Sequence, residues 1–296
     1  MYSLLDRMSP TVRETRFTIF SEALNTADIT LLRRTLEATT KPFTLELRRV
    51  DESAFAGFPS LYGSWATYYR LFAVQMMAAE RFLYVDADTL CDVDVSELES
   101  LEMAQAPVGW VPEAPLKRAV DRGVSQQLGN REGEFYFNAG VLLVNVAEWR
   151  RQNLTERAMD YIAAQRPAFH DQSALNYLLC GKAFVLDHKF NCRSNVREYW
   201  PCFKPPYRGM GRLIHFVDYP KPWDWMGEFV HPQYGLWRSV LDKTALKHFR
   251  GWRGALPWNI PQSKKAWIGY KKAIKDRLLF AGYSRGWLKR VKGIPL

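Results

Sequence analysis

No stretch of this 296-residue chain approaches the roughly eighteen consecutive apolar residues that a membrane-spanning helix requires. That excludes reading it as an integral helical membrane protein. Residues 1–16 scatter charges and hold no apolar core segment, so no secretory signal is expected and the cytosol is the expected compartment. Cysteine is sparse. The four present (Cys91, Cys180, Cys192, Cys202) form no Cys-x-x-Cys pair and show no zinc-ligand spacing, which predicts reduced thiols in packing positions. The glycosylation acceptor Asn153-Leu154-Thr155 has no meaning in that compartment. Internal repeats and low-complexity linkers are lacking as well. Acid is scarce in one region only: between Ala245 and Leu296, thirteen Lys or Arg face a single acid, Asp276. The formal net charge of +10 is therefore concentrated at the carboxyl end, beyond a body close to neutral.

What is present is the composition of a folded protein. At 47% hydrophobic and 14% aromatic the chain is not disordered, and its length allows one large domain or two small ones. Residues 16–20 (Arg-Phe-Thr-Ile-Phe) predict a strand. Asn25 or Thr26 then offers a cap to a helix carrying Ile29, Leu32 and Leu36 at helical spacing. Phe43 to Leu47 alternates as a second strand after Pro42. Residues 67–79 predict a helix with a wide apolar face, leading into Phe82-Leu83-Tyr84-Val85-Asp86-Ala87-Asp88. Strand, helix, strand, helix, strand in this order is the pattern of a parallel sheet with crossover helices.

The apolar run Phe82–Val85 predicts a strand buried on both faces. Ligands of open α/β sheets bind just beyond the carboxyl ends of such strands, which is where Asp86 and Asp88 stand. Two hard oxygen donors can share a divalent cation such as Mg²⁺ or Mn²⁺, and that cation can neutralise a diphosphate. The plain alternative is a polar loop after a core strand. Farther on, residues 94–98 predict a helical turn and 109–111 a strand; 135–140 form a tight segment before a buried strand over 141–146. A helix over 147–164 leads to His170-Asp171-Gln172, at the start of a helix over 173–179. His215 follows Leu213-Ile214 at another strand end, and Lys221-Pro222-Trp223 comes six residues later. Taken singly, Asn138 reads equally as a turn residue, Asp171 as a helix cap, and His215 and Trp223 as core packing.

Taken together, five segments in this order resemble glycosyltransferase family 8, the retaining, metal-dependent sugar transferases. Within it the likeness is to bacterial lipopolysaccharide and lipooligosaccharide glycosyl- and galactosyltransferases. The segments are Ala66-Thr67-Tyr68-Tyr69-Arg70-Leu71, Leu83-Tyr84-Val85-Asp86-Ala87-Asp88, Phe137-Asn138-Ala139-Gly140-Val141, Asp171-Gln172, and His215 with Lys221-Pro222-Trp223. Asp51-Glu52 through Phe55-Ala56-Gly57-Phe58-Pro59 has the same look, and the resemblance spans roughly residues 2–225. It implies an α/β fold, the Rossmann-like nucleotide-diphospho-sugar transferase fold of GT-A type. It implies Asp86, Asp88 and His215 as ligands of Mn²⁺ (or Mg²⁺), the imidazole nitrogen among carboxylate oxygens suiting Mn²⁺ better. It further implies Lys221 as a point charge on the diphosphate, Arg70 on the nucleotide-sugar, and Asn138, Asp171 and Gln172 on the donor sugar. Glu113 stands where the family pattern has an aspartate. Met1-Tyr2-Ser3-Leu4-Leu5 resembles the helix after the family's first strand and its acidic, tyrosine-containing base-binding loop, so that strand is expected to be missing.

The implied reaction moves a hexose, galactose or glucose, from a UDP-sugar to a saccharide acceptor with retention at the anomeric carbon. Lipopolysaccharide core or another lipid-linked glycan is the implied acceptor. A covalent intermediate needs a nucleophile beside the anomeric carbon. Among the catalytic candidates, Gln172 is a poor nucleophile and Asp171 the remaining one, so attack on the same face is the expected course. Two rivals stand beside this reading. Asp86-Ala87-Asp88-Thr89 imitates the nucleophile motif of haloacid-dehalogenase-like phosphatases, although that motif normally lies on a first strand and no matching acidic pair follows Lys182 or Lys189. The other rival is a degenerate nucleotide-sugar-binding protein. The expected organisation is a catalytic domain over 1–244 and a basic helical tail over 245–296. In the tail Trp252, Trp258, Trp267, Tyr270, Tyr283 and Trp287 alternate with lysines and arginines, a composition suited to an anionic membrane surface on the inner face. A solvated charged helix is the alternative; no nucleic-acid recognition motif accompanies the charge.

Overall fold

Asn25 accepts hydrogen bonds from the Ala27 and Asp28 amides while Asp28 accepts one from the Asn25 amide, and this reciprocal cap fixes where the first long helix starts. The computed structural model describes residues 1–60, 63–196, 211–225, 227–251 and 267–271. They fall into two units: Met1–Cys192 with Gly211–Leu213, and Arg193–Met210 with Ile214–Leu296. Residue 245, where the charge changes, falls inside the second. Cys202 and most of the basic tail, including Trp252, Trp258, Tyr283 and Trp287, lie outside the described residues. Cys91, Cys180 and Cys192 are buried free thiols.

The first unit opens with α1 (Tyr2–Arg7), β1 (Thr15–Ser21), α2 (Thr26–Glu37) and β2 (Phe43–Arg49), and β1 and β2 pair in parallel as a two-stranded sheet. A short 3₁₀ turn, Ala66–Tyr68, then enters α3 (Tyr69–Met76), which leads to β3 (Arg81–Val85) and β4 (Thr89–Cys91). Next come β5 (Val108–Pro115), α4 (Arg122–Gln127), β6 (Phe135–Asn145), α5 (Val146–Arg151), α6 (Leu154–Gln165), α7 (His170–Leu179) and β7 (Phe184–Val185). The main sheet has the order β3-β6-β5-β7.

The strand before the two aspartates departs from the sequence expectation in burial and in direction. Phe82–Val85 is half-buried, and its strand pairs antiparallel with β6, with Phe82 opposite Val144. β3 is the outer strand of its sheet, and an apolar run reports burial tendency without reporting the direction of the neighbouring strand. Within the main sheet the strand buried on both faces is β6, whose eleven residues include the expected tight segment at 135–140. Alternation explains its continuous apolarity: Leu142 and Val144 pack with Trp110, Trp149, Leu154 and Leu175, while Val141 and Leu143 pack on the opposite face with Val111, Leu186 and Phe190. Each such buried side chain contributes about 1.5–3 kcal/mol over exposure.

β8 (Cys192–Ser194) and β9 (Leu213–Phe216) are neighbours in a small sheet, and α8 (Gly227–Val230) and α9 (Tyr234–Leu241) follow. The second unit is held by aromatic contacts. Trp223 lies 5.8 Å from both Phe216 and Trp237 between ring centroids, and Trp237 meets Tyr234 and Phe249. The Tyr219-Pro220 peptide is cis.

Candidate functional site

The alternation of a strand puts Tyr84 and Asp86 on one face at the end of β3, and the Tyr84 hydroxyl donates to Asp86 Oδ1 at 2.8 Å. The Asp86 amide donates to Gly140 O (2.8 Å), extending the ladder with β6, and Thr89 Oγ1 donates to the Asp86 carbonyl (2.9 Å), closing the turn. Asp86 and Asp88 are half-buried, with Ala87 exposed between them.

Arg70 reaches this turn from α3. Its Nη2 donates to both Asp86 oxygens (3.0 and 3.3 Å), Nη1 donates to Ala139 O, and Cζ lies 4.9 Å from the Tyr84 ring centroid. Arg70 Nε stands 3.0 Å from Asp171 Oδ2 as an ion pair, without hydrogen-bond alignment. Asp171 is 2% exposed and also accepts from Thr67 Oγ1. Burial opposes the Arg70 charge, but the Asp171 and Asp86 carboxylates outweigh it and raise the guanidinium pKa above its ordinary value. Burial pushes the Asp171 carboxyl up, against the pull of Arg70.

Gln172 is fixed by a second group of contacts. Its Oε1 accepts from the Ala139 amide (2.9 Å) and Asn138 Nδ2 (3.3 Å), while Nε2 donates to Tyr136 Oη (3.2 Å). A backbone N–H can only donate, so this contact settles which end of the amide is oxygen. Tyr136 Oη donates in turn to buried Asp121 (3.2 Å), which also accepts from Ser173 Oγ. Asn138 Oδ1 accepts from the Gly140 amide (2.9 Å) and Asn191 Nδ2 (3.1 Å). One residue's backbone joins both groups: the Ala139 carbonyl accepts from Arg70 and the Ala139 amide donates to Gln172.

The first unit thus brings Arg70, Asp86, Asn138, Asp171 and Gln172 together around the Ala139 peptide, beyond the end of β3. Glu113 sits on β5, between Pro112 and Ala114, where the register with β6 shifts. Within the second unit, His215 is buried on β9. Lys221 is buried as well; its Nζ donates to Phe216 O and lies 5.5 Å from the Tyr219 ring centroid, and its amide donates to Asp224 Oδ2 at 2.7 Å.

Sequence reasoning missed Tyr84, Thr67, Tyr136, Asp121 and Asn191 as partners. Tyr84 was within reach, because strand period places it beside Asp86. Asp121 and Asn191 carry no comparable signal, since their contacts are with residues far away in the chain.

Residues 1–227 match the family model described as glycosyl transferase family 8. The chain is 28% identical over 232 residues to lipopolysaccharide 1,3-galactosyltransferase of Salmonella typhimurium, covering 74% of this chain and 67% of that one. It is 27% identical over 237 residues to lipopolysaccharide 1,2-glucosyltransferase of Escherichia coli K12, covering 75% and 64%. The chain thus spans about two thirds of the length of these relatives. Galactosyltransferase LgtC, solved with donor and acceptor sugar analogues, superposes with a TM-score of 0.61 at 24% identity, over 81% of this chain and 88% of that one. That likeness shows the fold, the α/β nucleotide-diphospho-sugar transferase fold of GT-A type. It leaves the haloacid-dehalogenase-like reading without structural support.

Proposed function

The chain belongs to glycosyl transferase family 8, and from that premise we propose that it transfers a hexose, galactose or glucose, from a UDP-sugar to a saccharide hydroxyl with retention at the anomeric carbon. The acceptor assigned is lipopolysaccharide core or another lipid-linked glycan, a reading supported by relatives named as lipopolysaccharide galactosyl- and glucosyltransferases. One observation carries the reading: Arg70, Asp86 and the Asp171-Gln172 pair, from three separate stretches of the chain, meet around the Ala139 backbone beyond the end of β3.

Asp86 and Asp88 are half-buried hard oxygen donors at a strand end, and with His215 as a nitrogen donor this set fits Mn²⁺ (or Mg²⁺). When bound, the cation supplies Lewis acidity that neutralises the departing diphosphate. Lys221 adds a point charge toward the same phosphates. Arg70 steadies Asp86 and lies beside the donor sugar with Asn138. Asp171 has both oxygens engaged and almost no exposure, which suits holding Arg70 better than attacking carbon. Gln172 has its amide oxygen occupied by two donors, so it serves as a hydrogen-bond donor rather than a nucleophile. With neither side chain free to attack, the acceptor hydroxyl adds on the face the UDP leaves, and its proton passes to the leaving phosphate oxygen.

The tail is assigned to an anionic membrane surface on the inner face, as a peripheral contact. Among the described residues no helix is long and apolar enough to cross a membrane. Trp267 and Ile268 are 52% and 53% exposed, with Lys271 Nζ 5.4 Å from the Trp267 ring centroid.

The test of the enzyme reading is UDP-sugar turnover. Asp88→Asn abolishes transfer and leaves the thermal midpoint nearly unchanged; a chelator does the same and Mn²⁺ restores activity. Full activity in excess chelator overturns the metal assignment. Donor binding without turnover favours the binding-protein reading, and Asp86-dependent phosphate release from a phosphomonoester favours a phosphatase.

A further inference from the structure

Three glycines from successive stretches of the second unit press on the backbone around Lys221. A methyl group on Gly227 would lie 2.4 Å from Lys221 O and 2.6 Å from Pro222 O. One on Gly251 would lie 2.7 Å from Trp223 O, and one on Gly269 would lie 2.2 Å from Tyr219 O and 3.1 Å from Pro220 N. The obstacles are backbone atoms, which cannot swing aside as the end of a side chain does. Gly251 also has a φ of +59°, whereas Gly227 and Gly269 have no positive φ, so close approach is what requires glycine at those two.

Gly269 belongs to the basic carboxyl-terminal region that charge alone marks as an appendage. Next to it, Tyr270 packs edge-on against Trp225 (5.7 Å between centroids), and its hydroxyl donates to Trp225 O. Burial pushes the Tyr270 phenol up. The helical stretch 267–271 therefore has two sides: Gly269 and Tyr270 face the segment 219–225, while Trp267 and Ile268 remain exposed.

We propose that Gly269 and Tyr270 are positioning residues for donor phosphate: they hold the Tyr219–Trp223 backbone, and with it Lys221, from the carboxyl-terminal side. This rests on the assignment of Lys221 to the diphosphate. A chain clamped from three directions at Tyr219, Lys221–Pro222 and Trp223 presents one lysine position, and the clamp is incomplete without the carboxyl-terminal stretch.

The experiment uses the full chain with UDP and Mn²⁺ in titration calorimetry. Gly269→Ala weakens UDP binding about tenfold, and Tyr270→Phe weakens it about threefold, the worth of one hydrogen bond. Gly235→Ala, whose added methyl meets nothing, leaves it unchanged. In a Lys221→Ala background neither Gly269→Ala nor Tyr270→Phe weakens binding further, because the effect runs through Lys221. Wild-type affinity in both variants overturns the inference, as does full additivity with Lys221→Ala, which marks general packing. If Gly269→Ala fails to fold, Tyr270→Phe carries the same cycle. Unchanged UDP affinity in Lys221→Ala instead overturns the assignment of Lys221 itself.

Discussion

Arg70 Nε stands 3.0 Å from Asp171 Oδ2, with the two side chains 9% and 2% exposed. Taking two charges out of water is costly unless each finds good partners. Here Arg70 also bonds Asp86 and the Ala139 carbonyl, and Asp171 also bonds Thr67. The ion pair therefore ties α3 and α7 to the end of β3.

Removing one charge of this pair strands the other. Asp171→Asn lowers stability by about 3 kcal/mol in urea unfolding, and transfer activity falls with it because Arg70 loses one anchor. Arg70→Met combined with Asp171→Leu recovers most of the stability but no activity. A cost for Asp171→Asn below about 1 kcal/mol, the range of a surface pair, shows that the pair does not hold these elements.

Acid sensitivity is expected from His231. It is 5% exposed, its Nδ1 accepts from the Gln233 amide at 3.2 Å, and burial with Lys221 nearby pushes its pKa down to about 3. The folded form therefore resists a proton that the unfolded chain accepts near pH 6.5. The stability this residue supports is complete above that pH and falls as pH drops toward 3, by about 1.4 kcal/mol per unit at most. Urea midpoints at pH 7 and pH 5 check it: His231→Asn has a smaller loss between the two than wild type. Equal losses show that other groups control the acid limb.

The proposed membrane contact is tested by vesicle co-sedimentation. Each Lys or Arg near an anionic bilayer contributes on the order of 1 kcal/mol, screened over ~8–10 Å in salt. Full-length protein binds phosphatidylserine vesicles at low salt and releases at high salt. Trp267→Ala with Ile268→Ala weakens binding and leaves UDP affinity intact, since both side chains are more than half exposed. Undiminished vesicle binding by that variant sinks the assignment of this surface.

Much of the fold was legible because local rules govern it. Asn25 caps α2 where the sequence offers a cap, and β1 and β2 pair in parallel as strand–helix–strand order requires. The helix expected over 67–79 is shorter, a 3₁₀ turn followed by α3, and the one expected over 147–164 is divided into α5 and α6. At 153 the chain turns left-handed, with φ +48°, and apolar spacing does not register such a break.

The sequence by itself determined which side chains are on offer to the candidate site: the carboxylates of Asp86, Asp88 and Asp171, the amides of Asn138 and Gln172, and the cations Arg70 and Lys221. Their types and order suffice for that, because donor, acceptor and charge are properties of side chains. Tertiary structure alone decided what each one touches. That Ala139 offers its carbonyl to Arg70 and its amide to Gln172 follows from packing α3 and α7 against β6. That Gly269 lies against Tyr219 follows from a chain return that no local pattern announces. Contacts between residues distant in sequence form only when burial of the apolar faces brings their elements together, and the spacing of residues along the chain does not encode that distance.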